Sequence, residues 1–138
     1  MRGLTILFLT VPMVINATPA AADLQAGNWE LSVTSQMPGM PQPIGPITQT
    51  RCLTEADARD PSRIVSPSSG SCEFSNKRDS GSEMTFDITC SGQIPMRGSG
   101  VVRYGGQSFD ADLSLTADYQ EQKVVTSSKV TGRRLGGC

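Results

Sequence analysis

Apolar and polar side chains alternate along residues 28–37, interrupted only at Ser35, with Trp29, Leu31, Val33 and Met37 on one side and Glu30, Ser32, Thr34 and Gln36 on the other. A period of two marks an extended strand with one buried face. The pattern recurs. Residues 72–78 and 83–90 flank Asp79-Ser80-Gly81-Ser82, and folding them about Gly81 sets Cys72 opposite Cys90, Phe74 opposite Ile88 and Asn76 opposite Phe86. Cys72, Phe74, Met84, Phe86, Ile88 and Cys90 then share a face. Residues 98–104 and 107–116 bracket Gly105-Gly106, whose tolerance of positive φ suits a two-residue hairpin turn. That register opposes Val102 to Phe109 and Tyr104 to Gln107, with Ala111, Leu113 and Leu115 continuing the apolar face.

The remaining segments are less regular. Residues 47–52 read as a weaker strand, residues 119–135 as one long or two short strands, and 38–46 as a loop too rich in Pro for a sheet interior. Residues 54–60 form the one credible helix, capped by Thr54 with Asp57 as its reciprocal partner and stopped by Pro61. So short a helix is expected to decorate the fold, and 61–71 to be a Ser/Pro/Gly loop. About seven short strands at hairpin spacing predict an all-β protein. The expected form is a single antiparallel meander curled into a half-barrel or small barrel, because each apolar face needs cover. The predicted inner face holds Trp29, Leu31, Val33, Phe74, Phe86, Ile88, Val102, Tyr104, Phe109 and Leu113.

Only six aromatics follow residue 22, namely Trp29, Phe74, Phe86, Tyr104, Phe109 and Tyr119, which makes a thin core, a deficit that disulfides relieve. Cys52, Cys72, Cys90 and Cys138 lack the close pairs of a zinc site, so two structural disulfides are expected. Four cysteines allow three connectivities. The hairpin register favours Cys72–Cys90, which leaves Cys52–Cys138, with Cys52–Cys72 the main competitor.

Residues 1–22 carry Arg2, a short apolar stretch from Leu4 to Ile15 and the small residues Ala20–Ala22, the features of a secretory signal. The apolar run is too short to span a bilayer core. A single all-β domain over 23–138 is then expected, with no stable membrane span. The formal net charge of −1 argues against nucleic acid as a partner. The chain has no His, which removes Ser-His, Cys-His and His-metal chemistry.

Several of these pieces occur in a recognisable order: Gly27-Asn28-Trp29-Glu30 with Met37-Pro38-Gly39-Met40 downstream, Cys52-Leu53-Thr54, and Gly132 to Cys138 as Gly-x-x-Leu-Gly-x-Cys. In this the chain resembles the secreted proteobacterial proteins grouped as the domain of unknown function 3617 family. The resemblance spans essentially the whole region after the signal. It implies a Gram-negative periplasmic location and supports the disulfides, and it brings no activity, cofactor or catalytic residue.

Three functions are compatible with these residues. The first is a non-enzymatic binding or structural module for a small apolar ligand or an envelope protein, with no cofactor. The Pro-rich 38–46 segment is a candidate for recognition by such a partner. The second is a Cu(I) site at Met37 and Met40, joined in space by Met84 or Met96, against which Met37 and Met40 can equally pack as apolar side chains. The third is a hydrolase using the carboxylates Asp110 with Asp112 or Asp57 with Asp60. The first of those pairs falls on the predicted solvent face, and the sequence lacks a G-x-S-x-G nucleophile elbow.

Overall fold

The computed structural model describes residues 23–66 and 71–138, so the signal predicted at 1–22 lies outside the described residues. Alternation becomes extended structure wherever it was clean. The strands are β1 (Gly27–Gln36), β2 (Ile44–Leu53), β3 (Ser71–Asp79), β4 (Glu83–Ser91), β5 (Met96–Gly105), β6 (Ser108–Tyr119) and β7 (Gln122–Gly136). Along β4 burial alternates residue by residue, with Met84, Phe86, Ile88 and Cys90 inside. Between β2 and β3 lie the helix α1 (Glu55–Arg59) and a 3-10 turn (Pro61–Arg63).

The seven strands form one antiparallel sheet in the order β2-β1-β7-β6-β5-β4-β3. From β3 to β7 it is the expected meander. At β1 it departs, since β1 takes the final strand as its second neighbour and carries β2 outside it. The sheet curls without closing, leaving β2 and β3 as edges. Gly132 and Gly100 permit that curl on the inner face. A Cβ on Gly132 would stand 2.1 Å from the Phe109 ring, and one on Gly100 2.6 Å from the Phe86 ring. The rings occupy the space that side chains would need.

Both favoured disulfides are formed. Cys72 and Cys90 are directly opposed on β3 and β4 with their Cα atoms 4.0 Å apart, closer than the about 4.5 Å of an ordinary non-hydrogen-bonded pair. Cys52 and Cys138 join the end of β2 to the chain terminus.

Several sequence expectations need correction. The β5–β6 turn sits one residue later than Gly105-Gly106. Tyr104 pairs with Phe109 and Val102 with Ala111, not with Gln107 and Phe109. Because the partners moved by two, every side chain kept its face. Asn76 is not opposite Phe86. The β3–β4 register shifts between Ser75 and Arg78, Asn76 adopts φ 51°, and its amide donates to the Asp87 carboxylate at 2.7 Å. Met37 lies beyond β1 in the β1–β2 connection and is not on its buried face. Residues Ile44–Pro46 belong to β2, where Pro46 is tolerated because β2 is an edge. Strand β6 runs on to Tyr119, and β7 is one long strand.

The β6–β7 turn carries no glycine. Gln120 and Glu121 both take positive φ, 48° and 63°, a region that costs an L-residue about 1–2 kcal/mol. Replacing Glu121 by Gly is therefore expected to stabilise the protein by about 1 kcal/mol in urea unfolding.

The largest correction concerns the helical segment. It does not decorate the fold. The chain leaves the sheet at edge β2 and re-enters at edge β3, so residues 54–66 lie as a strap across the open side of the curl. Leu53, Ala58, Ile64 and Val65 are buried in the same core cluster as Trp29, Phe109 and Val102. The capping box forms as expected, with the Thr54 hydroxyl accepting from the Asp57 N–H and the Asp57 carboxylate accepting from the Thr54 N–H. On the far side Lys77 of β3 donates to Asp60 at 2.7 Å, tying the strap to the second edge.

Candidate functional site

The strap covers only part of the inner face. Beside it a cavity of 740 Å3 remains, within the range typical of small-molecule sites. Its floor comes from alternate residues of the central strands: Leu31 and Val33 on β1, Leu113 and Leu115 on β6, and Val130 on β7. Phe74 and Cys72 of β3 close one side, and Ile64 and Val65 of the strap close another. These residues meet because the register lines them up across the sheet. Val33 pairs with Val130, which pairs with Ala111.

The mouth is polar and cationic. Strand β2 points Arg51 and Gln49 to the inner side, opposite Trp29 and Leu31, and the strap contributes Asp57, Arg63 and Ser66. Asp57 is buried, with its side chain 8% exposed, between the two half-exposed arginines. Its closest approaches are 4.0 Å to Arg51 and 3.7 Å to Arg63. Both are ion-pair distances too long for hydrogen bonds. The Asp57 carboxylate instead accepts from the Thr54 N–H and hydroxyl, each at 3.0 Å.

Burial by itself pushes the Asp57 carboxyl up. The two Thr54 donors, helped by the charges of Arg51 and Arg63, outweigh burial and hold it below the ordinary aspartate range. A depressed folded value gives stability that is complete above the unfolded value of about 3.9 and is lost as pH falls through the folded one. Asp57→Asn keeps the shape and removes the charge. It is expected to cost about 1 kcal/mol at pH 7, the difference between charged and neutral acceptors. The two proteins should then converge in urea midpoint as the pH drops below about 3.9.

Of the residues expected to face inward, Trp29, Leu31, Phe86, Ile88, Val102, Phe109 and Leu113 are buried, while Val33, Phe74 and Tyr104 are partly buried against them. They divide between two tasks. Leu31, Val33, Phe74 and Leu113 line the cavity. Trp29, Val102 and Phe109 belong to the packed core beyond it, and the Tyr104 hydroxyl donates to Asp79. Sequence reasoning missed Ile64 and Val65, an apolar pair inside a Ser/Pro/Gly stretch. It also missed Arg51 and Arg63, which nothing local distinguishes from surface charges.

Asp110 and Asp112 meet only by sharing one guanidinium, and Asp57 and Asp60 have separate partners. Arg103 donates to Asp110 at 2.8 Å and to Asp112 at 2.5 Å on the outer face. These hydrogen bonds, with the carboxylate charge behind them, keep the guanidinium proton bound more firmly than usual. Asp57 belongs to the capping box and Asp60 accepts from Lys77 and Ser62. Met37 and Met40 stand in the β1–β2 connection, whereas Met84 is buried on β4 and Met96 begins β5. In the sheet order β5 is three strands from β1. A second, wider groove of 1170 Å3 crosses the strands along small polar side chains, among them Ser99, Ser114 and Ser127, with Asp87 and Asp112 in its wall.

Among the described residues no helix is long and apolar enough to cross a membrane. The family model described as "Protein of unknown function (DUF3617)" matches residues 24–138. No curated protein and no solved structure matches the chain.

Proposed function

The chain belongs to the DUF3617 family, and on that premise we propose that it is a periplasmic, non-enzymatic module that takes a small apolar ligand into the cavity beside the strap. The observation that supports this reading most directly is a 740 Å3 cavity with an apolar floor in a domain whose other inner-face residues are tightly packed. An apolar floor left open to water is burial forgone, which an apolar ligand would recover. The two disulfides suit an oxidising compartment, in line with the family resemblance and the predicted leader.

The test is titration of the exported, disulfide-bonded protein with the neutral fluorophore N-phenyl-1-naphthylamine. The expected result is a saturable rise in emission with one site per chain. Leu115→Trp, which fills the cavity floor, should abolish it, and Ser114→Trp in the outer groove should leave it intact. No rise with the parent protein, or loss only with Ser114→Trp, overturns the reading.

A further inference from the structure

The inner side of an edge strand that served only to cover Trp29 and Leu31 would carry apolar residues. Instead β2 sets Arg51 against Trp29 and Gln49 against Leu31. Across the mouth the strap brings Arg63 to the same carboxylate that Arg51 faces. Two guanidiniums thus converge on one Asp57, whose Oδ2 already accepts from Thr54. The mouth holds an excess of positive charge, and neither arginine is within hydrogen-bonding distance of Asp57. Each guanidinium presents a planar fork of N–H donors, a geometry that suits carboxylate and phosphate oxygens. Below this cationic rim the walls are apolar, from Leu31 and Val33 to Leu115.

We infer that the ligand is a single-chain amphiphile with an anionic head, its alkyl chain lying on the cavity floor and its head held at the mouth by Arg51 and Arg63. This deepens the apolar-ligand reading and rests on it. The shared chemistry is a carboxylate or phosphate on one alkyl chain. A free fatty acid would supply the first and a phospholipid-derived molecule the second. Charge complementarity decides against a cationic or neutral amphiphile of the same length, because only an anion gains charge-assisted hydrogen bonds at the rim.

The experiment is displacement of N-phenyl-1-naphthylamine by dodecanoate, dodecyl phosphate, dodecanol and dodecyltrimethylammonium, each below its micellar concentration. At least one of the two anions is expected to displace the fluorophore at a roughly tenfold lower concentration than dodecanol, and the cation should be weakest. The better anion identifies which source is favoured. Arg51→Gln and Arg63→Gln should each shrink the ratio of anion to alcohol affinity severalfold, weaken dodecanol far less than the anions, and be partly rescued by Lys. Melting curves of the same variants report folding. If the arginines only guard an edge strand or support Asp57, melting falls while the anion-to-alcohol ratio stays fixed, and the inference is overturned. Equal displacement by anions and alcohol overturns it too but leaves the apolar cavity standing. Failure of the neutral fluorophore to bind the parent protein removes both.

Discussion

Replacing Cys52 and Cys138 together by serine is expected to lower the unfolding free energy by about 4–5 kcal/mol, more than any other single cross-link or side-chain removal considered above. The two residues are 86 apart in sequence, against 18 for Cys72 and Cys90. A cross-link stabilises chiefly by restricting the unfolded chain, and the restriction grows with the loop it closes. Both Cys52 and Cys138 are exposed, so their removal sacrifices little packing and isolates that effect. The shorter loop of Cys72–Cys90 predicts about 3 kcal/mol, to which the lost packing of buried Cys90 is added. Urea unfolding of the two double-serine variants measures both. The variant without Cys52–Cys138 should also show a steeper denaturant dependence, because its unfolded state exposes more surface. An unchanged slope together with a loss below 1 kcal/mol would contradict the account.

The second large effect is at Trp29. Its side chain is fully buried, packs on Phe109 with ring centroids 5.7 Å apart, and donates its indole N–H to the Gln25 carbonyl at 3.0 Å. It thereby fastens the segment before β1 to the packed end of the curl. Trp29→Ala should cost about 3–5 kcal/mol through lost burial and the cavity left behind. For a small domain with few aromatics that is a large share of the total stability. Trp29→Phe keeps a ring and leaves the Gln25 carbonyl to another partner, so about 1–2 kcal/mol is expected. Far-ultraviolet circular dichroism in urea is the suitable measurement, since the variants remove the chain's one tryptophan fluorophore. Equal losses for the two variants would show that the ring is not what the core requires.

The faces of β1, β3, β4, β5 and β6 were legible because alternation is a local property, read over four to ten residues, whereas β2 and β7 offered no such alternation. Turn positions were less so. The β5–β6 turn came one residue later than the glycine pair suggested, and the error was harmless only because pairing moved by an even number of residues. The β6–β7 turn at Gln120-Glu121 was invisible, since it uses residues with no preference for positive φ. The register shift at Asn76 rests on a bond to Asp87 eleven residues away. A scan of either strand alone contains only one of the two partners.

The candidate site was half legible for the same reason. Leu31, Val33, Phe74 and Leu113 could be assigned to the inner face one strand at a time, but which of them would be packed over and which left open could not. That depends on where the strap crosses, and the strap crosses where it does because β1 pairs with β7 and sends β2 and β3 to opposite edges. Alternation, turn chemistry and cysteine parity, all short-range, sufficed to determine an antiparallel β-protein with two cross-links and one greasy face. The open curl, the buried strap and the meeting of Arg51 with Arg63 around Asp57 were decided only in three dimensions. They follow from contacts between segments whose attraction depends on burial by the whole sheet, a quantity that no local stretch of sequence contains.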